Sequence, residues 1–299
     1  MMTTTSGARK QGHGKNLKFY RKYYKNPRKR QVPVGPAIAP ALISRTAVFQ
    51  PKFKNIQNGT WTWATAWGTV TVSGRLGALH RKVLDAIFAS AIKTKRIPET
   101  GGQMMVIDPY RVAKLTGTSK SHPQWLKTIL QDMQNATVAI VNKTNGDQYW
   151  GHIISDIWLS QHPAEMPGGA LTGQRALFVV TISPGWMQIY DTSIVMKYRN
   201  VLPVLASLES GATYAMILHV LTHSGGCFAV DDVLQTVGVP WPSMSRQRRH
   251  AILREVRDAD PQLQKLGMEL YIQSDGRLMV SYHPTGDITF ANPPKAEIG

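Results

Sequence analysis

Residues 245–257, with the sequence Ser-Arg-Gln-Arg-Arg-His-Ala-Ile-Leu-Arg-Glu-Val-Arg, constrain the fold of this chain more than any other stretch. At about 100° per residue, Ile252, Leu253 and Val256 fall on one face of a helix. The opposite face carries basic and amide side chains: Arg246, Gln247, His250, Arg254 and Arg257. The stretch therefore predicts an amphipathic helix that packs on a core and presents positive charge to its surroundings.

The segments on either side of this helix complete a known order of elements. A helix-like segment, residues 231–238, and a Pro-Trp-Pro turn precede it, and two alternating strand-like runs around Ser274-Asp275-Gly276 follow it. Helix, turn, basic helix and hairpin is the order of a winged helix-turn-helix, whose second helix enters the major groove of DNA. A charged helix that only faces solvent would show the same local pattern, so the rest of the chain has to separate the two interpretations.

The distribution of charge favours a polyanionic partner. The chain has 35 Lys and Arg against 18 Asp and Glu, a formal charge of +17, and its first acidic residue is Asp85. Such a field suits nucleic acid or an anionic membrane surface. No apolar run approaches a bilayer span, and the basic N-terminus lacks the apolar core of a signal peptide, although a transit peptide stays open. We therefore expect no membrane partner and a cytoplasmic location.

The single cysteine, Cys227, excludes an intramolecular disulfide and a cysteine-based zinc site. It stands in an apolar stretch, so we expect it to be a small core residue in a protein of a reducing compartment.

The expected fold class is α+β, with two tandem winged-helix domains and a flexible basic N-terminal tail. Residues 1–58 are predicted to be a basic, largely disordered tail and a Pro-containing connector. Residues 59–195 form the first winged-helix domain, residues 196–284 form the second, and residues 285–299 are a C-terminal tail.

The basic tail interleaves Lys and Arg with Phe19, Tyr20, Tyr23 and Tyr24. This mixture can bind phosphates and stack on unpaired bases, or it can dock its aromatic side chains on the folded body. The residues assigned to non-specific nucleic-acid contact are Lys18, Arg21, Lys22, Lys25, Arg28, Lys29 and Arg30. The Trp-rich run at 60–72 predicts a strand or hairpin, whose tryptophans either cover a core, which we favour, or stack on bases.

In the first domain we predict a helix at 79–92, a strand at 104–107 and a helix capped by Asp108 that ends near Gly117. A helix from Ser119 to about residue 134 and two strands, 137–143 and 148–159, follow. The turn Asn145-Gly146 joins these strands. The outer face of the last helix is the candidate DNA contact of this domain: Lys120, Ser121, Gln124, Lys127, Thr128 and Gln131.

The second domain repeats this order of elements without repeating the residues. Ser210 caps a helix over 212–223, a strand at 227–230 follows, and Asp231 caps the next helix, which ends at Gly238. The basic helix from Ser245 and strands at 268–273 and 277–282 complete it. Between the two domains we expect a strand at 176–182 and a helix at 184–190. The candidate DNA contacts of the second domain are Arg246, Gln247, Arg248, His250, Arg254 and Arg257.

Motifs for catalysis are missing from the sequence. No Walker phosphate loop appears, and His219 and His223 stand one helical turn apart without an acidic third ligand. We therefore expect no catalytic residues, no metal, no cofactor and no enzymatic activity.

Five segments resemble plasmid replication initiators of the Rep superfamily: Val239–Ser243, Ser245–Arg249, Pro261–Met268, Arg199–Thr213 and Leu126–Val141. The similarity is greatest to the iteron-binding RepC initiators of IncQ-type plasmids and extends more distantly to TrfA-type initiators. It covers residues 76–282.

The resemblance implies a bacterial, plasmid-associated protein that binds repeated double-stranded origin DNA and opens the adjacent AT-rich duplex. It also implies recruitment of a replicative helicase and a host initiator, and it allows either a monomer or a homodimer. Contact with single-stranded DNA is a separate expectation, which comes from the basic aromatic tail. The alternative is a winged-helix transcriptional repressor or partition adaptor. A nicking or primase-like enzyme is a third hypothesis.

Overall fold

A computed structural model describes residues 38–118, 123–143, 146–159 and 177–291. Up to residue 192 its elements are β1 (Ile38–Pro40), α1 (Ala41–Ser44), β2 (Gly59–Ala64), β3 (Gly68–Gly74), α2 (Ala78–Ser90), β4 (Lys93–Arg96), β5 (Gln103–Ile107), α3 (Pro109–Thr116), α4 (Pro123–Asn135), β6 (Thr137–Asn142), β7 (Gln148–Gly151), β8 (Ile154–Leu159), β9 (Phe178–Ile182) and α5 (Pro184–Thr192).

The remaining elements are β10 (Val195–Lys197), a 3-10 turn (Arg199–Val201), α6 (Leu202–Ala206), α7 (Gly211–Val220), β11 (Gly226–Ala229), α8 (Val230–Thr236), a 3-10 turn (Trp241–Ser243), α9 (Arg246–Asp258), α10 (Asp260–Lys265), β12 (Met268–Ile272), β13 (Leu278–Tyr282) and β14 (Thr289–Ala291). The predicted α+β class is confirmed.

Side-chain caps begin several helices where the sequence predicted them. Asp108 accepts a hydrogen bond from the amide of Tyr110, with Pro109 at the first helical position, and Gly117 ends α3 with φ of 66°. Ser210 accepts from the amide of Thr213 and starts α7. These short polar side chains satisfy amide groups that have no partner within the helix.

Four antiparallel sheets are present in the described part of the chain. Their strand orders are β2-β3-β6-β7, β4-β5-β9-β8, β11-β13-β12 and β1-β10-β14. In the second half, β11 pairs with β13, so the strand between α7 and α8 closes a sheet with the hairpin that follows α9.

The first half has the same order of elements but a different pairing. Its strand β5 pairs with β4 and β9, whereas the hairpin β6–β7 joins the Trp-rich hairpin through β3. The predicted strand at 148–159 is in fact two strands: β7 pairs with β6, and β8 pairs with β9 in another sheet. The β-forming side chains of residues 148–159 predict extended backbone, but they do not show which strand pairs with it.

Residues 38–58 are not an extended connector. Val48 is fully buried, and Ile43 and Phe49 belong to the core of the first half. The short strand β1 pairs with β10, which also binds β14 from the expected C-terminal tail. Apolar side chains between the prolines supply enough buried surface to hold this segment against both halves. The basic tail and its candidate residues lie outside the described residues.

Two further expectations were wrong. Cys227 is exposed rather than a core residue, because it occupies the outward position of β11. Asp231 does not cap α8, which begins after Ala229; Asp231 lies in the first helical turn and binds Arg277 instead. Ser119 and Asn145 lie outside the described residues.

Candidate nucleic-acid interface

Helix α9 is held by its cap and by one apolar face. The hydroxyl of Ser245 accepts a hydrogen bond from the amide of Arg248 at 3.3 Å. Ile252 and Val256 are buried in the core of the second half, with 3% and 0% of their surface exposed. The helix is therefore fixed on the body of the protein, and its opposite side is free to face a partner.

That opposite side is a positively charged surface, as the sequence predicted. We call it the basic face and define it by five exposed residues: Arg246, Gln247, His250, Arg254 and Arg257. Nε of Arg246 donates to Nε2 of His250 at 3.3 Å, so these two side chains, one turn apart, lie against each other. Guanidinium and amide groups of this kind can make two hydrogen bonds at once to guanine or adenine.

Arg248 does not belong to the basic face. It lies two positions after Arg246, so the helical repeat turns it through about 200°. It is exposed, but it lines an open groove together with Ile252 and Glu255. The structure thus separates Arg248 from the other five candidates of the second half.

The hairpin β12–β13 is tied to helix α8. One guanidinium nitrogen of Arg277 donates to Oδ1 of Asp231 at 2.8 Å and to Oδ2 of Asp232 at 3.0 Å. This contact holds the start of β13 beside the N-terminus of α8. The sequence signal for this contact is the pair of adjacent carboxylates, Asp231 and Asp232, of which a helix cap would use only one.

The candidate residues of the first half lie on α4, where Leu126, Ile129, Leu130 and Met133 form the buried face as expected. Gln124, Thr128 and Gln131 are exposed, whereas Lys127 is half-buried. The hydroxyl of Thr128 donates to the carbonyl of Gln124 at 3.1 Å. Lys120 and Ser121 lie outside the described residues.

The Trp-rich hairpin packs on the body of the protein. Trp61 is half-buried against the core of the first half. The indole N–H of Trp63 donates to the carbonyl of Gln235 in α8 at 3.0 Å, and the guanidinium of Arg45 lies 4.3 Å from the Trp67 ring centre. Trp61 therefore covers a core, as favoured from the sequence, whereas Trp63 and Trp67 contact a backbone carbonyl and a guanidinium.

His219 and His223 contact each other on α7 and the turn after it. Their Nε2 atoms are 3.4 Å apart. Burial, with smaller contributions from His223 and Arg45, lowers the pKa of His219 to about 4. Across the described ranges no cluster of three or more His, Cys, Asp or Glu side chains could hold a metal ion. In the same residues, no helix combines the length and the apolar character needed to cross a bilayer.

Comparison with solved structures gives one informative likeness. The crystal structure of selenomethionine derivatives of domain 2 and domain 3 of RctB matches this chain with a TM-score of 0.54 and 9% sequence identity. The match covers 82% of this chain and 98% of that one. At this identity the likeness shows a similar fold alone. No family model matches the chain, and no curated protein sequence matches it.

Proposed function

We propose that this protein is a replication initiator that recognises duplex DNA at an origin, with α9 as the helix that reads the sequence. The observation that carries the proposal is the basic face of α9, whose five residues are exposed while the other side of the helix is packed in a core. The likeness to domains of RctB, a replication initiator, supports a role in replication initiation.

In this proposal the second half acts as a winged helix. Its order is α7, β11, α8, α9, β12 and β13, and β11 closes the sheet of the hairpin. Helix α9 enters the major groove, where Arg246, Gln247 and Arg254 contact base edges. The hairpin, held by Arg277, lies at the edge of the complex. Each bidentate contact to a base contributes about 1–3 kcal/mol of discrimination.

The first half supplies a second contact through α4. We propose that residues 59–195 and 196–284 act as two winged-helix units on successive major grooves of one DNA molecule. The strands of the first half pair differently from those of the second, so different strands support α4. The exposed side of α4, which carries Gln124 and Gln131, can still face a major groove of DNA. Phosphate contacts from both halves would fix the register.

The DNA target and the protein partners are proposed from the resemblance to Rep-superfamily initiators. We propose that the target is a set of plasmid iterons, and that binding opens the adjacent duplex, admits contact with single strands, and recruits a replicative helicase and a host initiator. In this role the protein works in the bacterial cytoplasm as a monomer or homodimer, without a cofactor and without an enzymatic step of its own.

The proposed function is tested first by selecting, from a random pool of DNA duplexes, those that the full-length protein binds. Tandem direct repeats that support replication of a plasmid when placed beside an AT-rich segment, with the protein supplied in trans, would agree with an initiator. A single palindrome in the promoter of its own gene, with no replication of the test plasmid, would favour a repressor or a partition adaptor. Mg²⁺-dependent cleavage or primer synthesis on single strands would favour the enzyme hypothesis.

A further inference from the structure

The charges of the second half are divided between two regions. Residues 196–291 contain nine acidic and nine basic residues, and five of the basic ones lie on α9. Outside α9, this part of the chain has seven acidic residues against four basic ones. The second half therefore consists of a cationic helix and an anionic remainder, within a chain whose formal charge is +17.

The outward side of the hairpin β12–β13 is both anionic and apolar. Met268 and Leu270 pack on the core of the second half, so the alternation along β12 turns Glu269 and Tyr271 outward. Tyr271 is 40% exposed, and the next residue, Ile272, is 64% exposed. We call this region the hairpin surface and define it by six residues: Asp231, Asp232, Glu269, Tyr271, Ile272 and Asp275.

The carboxylates of the hairpin surface outnumber the cations beside them. The guanidinium of Arg277 binds both Asp231 and Asp232, and the backbone amide of Arg277 donates to Asp275 at 2.9 Å. Glu269 adds a fourth carboxylate, and the Lys or Arg nearest to the hairpin along the chain is Lys265, at the end of α10. Such a surface repels phosphates and attracts a cationic partner that also carries apolar groups.

The basic tail of this chain has the chemistry that the hairpin surface requires. Residues 18–30 contain seven Lys and Arg and no acidic residue, and they include Phe19, Tyr20, Tyr23 and Tyr24. Aromatic rings can pack on Tyr271 and Ile272 while the cations pair with the carboxylates. The sequence left open whether these aromatic side chains stack on bases or dock on the folded body. The hairpin surface supplies a place for docking.

The tail is long enough to reach the hairpin surface of its own chain. The described chain begins at Ile38, which pairs with Lys197, and Lys197 pairs with Thr289 on the other side of β10. Ile38 is therefore two strand spacings, about 10 Å, from Thr289. Thr289 follows the end of β13 by seven residues, which span at most about 25 Å. Residues 18–30 precede Ile38 by 8–20 residues, a reach of about 26–66 Å.

We propose that the hairpin surface binds residues 18–30 of the same chain when the protein is free of DNA. The contact combines charge attraction with apolar packing. Duplex DNA competes for the same cations, so DNA binding releases the tail from the hairpin, and the contact lowers the affinity for random duplexes. This consequence for DNA rests on the proposed function, whereas the docking itself does not.

The docking is tested on the full-length chain by pulsed electron paramagnetic resonance. Cys227 is the only cysteine of the chain and is exposed, and it pairs with Ser281, which pairs with Glu269 on the other side. Nitroxides on Cys227 and on Asn26→Cys in the tail should give one short distance at low salt. The population at this distance should fall at 1 M salt, where the Debye length is about 3 Å. An excess of unlabelled wild-type chain should leave the distance unchanged, because the contact lies within one chain.

A charge variant tests whether the hairpin surface holds the tail. Glu269→Gln/Asp275→Asn removes two carboxylates, while Asp231 and Asp232 still bind Arg277. The ratio of docked to undocked molecules should fall about threefold or more, in the range expected for two exposed ion pairs. Ile272→Ser, which changes no charge, should also lower the ratio. The matched control Glu99→Gln/Asp156→Asn removes two exposed carboxylates of the first half and should keep the wild-type ratio.

Three results would overturn the inference. The first is a broad distribution of distances in the wild type. The second is the same ratio in the hairpin variant as in the control. The third is loss of the short distance when unlabelled chain is added, since the tail on the hairpin would then belong to a second copy.

A second experiment measures the consequence for DNA. Affinity for a random duplex is compared between the wild type and Glu269→Gln/Asp275→Asn, each with and without residues 1–30. The deletion leaves every described contact in place, since the described chain begins at Ile38. The hairpin variant should raise the affinity about threefold or more in the full-length chain and by a smaller factor in the shortened one.

The same factor in both chains would contradict the inference, because the carboxylates would then act on DNA directly and not through the tail. If the wild type binds no duplex while the short distance is observed, the proposed function fails and the docking stands. The two failures are therefore distinguishable.

Discussion

The hydroxyl of Tyr214 on α7 donates a hydrogen bond to the buried carboxylate of Asp85 on α2, over 3.1 Å. The same carboxylate accepts from Nε of Arg81 at 2.9 and 3.0 Å, and Arg81 and Asp85 are almost completely buried. Tyr214 belongs to the core of the second half, whereas α2 contributes chiefly to the core of the first. The hydrogen bond from Tyr214 therefore joins α7 to a buried ion pair that lies within α2.

Asp85→Ala should lower the free energy of unfolding by about 3–5 kcal/mol, because it leaves the guanidinium of Arg81 buried without a counter-charge. Tyr214→Phe, which removes one hydrogen bond and keeps the ion pair, should cost about 1–3 kcal/mol. Urea unfolding followed by tryptophan fluorescence measures both. Equal and small losses in the two variants would mean that the ion pair contributes little.

Acidification should destabilise the protein through His219. Its pKa is about 4 in the folded protein and 6.5 in the unfolded chain, so the unfolded state binds more protons between these values. The stability contributed by the neutral form is fully present above pH 6.5 and is lost as the pH falls toward 4, by about 3 kcal/mol in all.

The variant His219→Gln, which cannot titrate, should therefore lose stability less steeply than the wild type between pH 6.5 and 4. His250→Gln, a change at an exposed histidine, is the matched control and should follow the wild type. Parallel curves for His219→Gln and the wild type would show that this histidine is not the acid-sensitive group.

Helix α4 should add its own part of the DNA footprint. Replacing Lys120, Gln124 and Lys127 with Ala should shorten the protected region and leave the contacts of α9 in place. Hydroxyl-radical footprinting on a duplex selected by the wild type measures the length. A footprint of full length would assign this helix to dimerisation or packing instead.

The basic tail should add affinity without adding specificity. Ten Lys and Arg occur in the first 30 residues, and no acid accompanies them. Deleting residues 1–30 should flatten the salt dependence of binding to random duplex and preserve the ranking of sequences. If the tail aromatics stack on bases, binding to single strands should weaken by about 1–3 kcal/mol per base lost. Salt titrations on specific, random and single-stranded DNA test both parts, and identical slopes would indicate that the tail docks on a partner.

The sequence predicted those structural features that depend only on residues close together along the chain. The caps at Asp108 and Ser210 need only a short polar side chain and the amide groups that follow it. The basic face of α9 needs only the helical repeat. Both are local properties, so reading along the chain was sufficient.

The sequence did not predict pairing between distant strands. Nothing around β5 shows that it joins β9, more than 70 positions later, rather than the nearby hairpin β6–β7. The position of Cys227 on the outward side of β11 likewise depends on the register with β13. The groove between residues 50–58 and α9 depends on contacts between the two halves, such as the close approach of the Gly211 and Lys52 backbones. No local sequence pattern predicts such contacts.

The central claim is that α9 reads DNA through its basic face, and the most direct measurement is the affinity of an α9 variant for a selected duplex. The triple variant Arg246→Ala/Gln247→Ala/Arg254→Ala should bind that duplex no better than random DNA, with a loss of about 1–3 kcal/mol for each side chain that contacts a base. Arg248→Ala, which removes an exposed arginine from the other side of the same helix, is the matched control and should keep the sequence preference. If the triple variant unfolds at the wild-type temperature and still prefers the selected duplex with unchanged affinity, α9 is not the recognition helix.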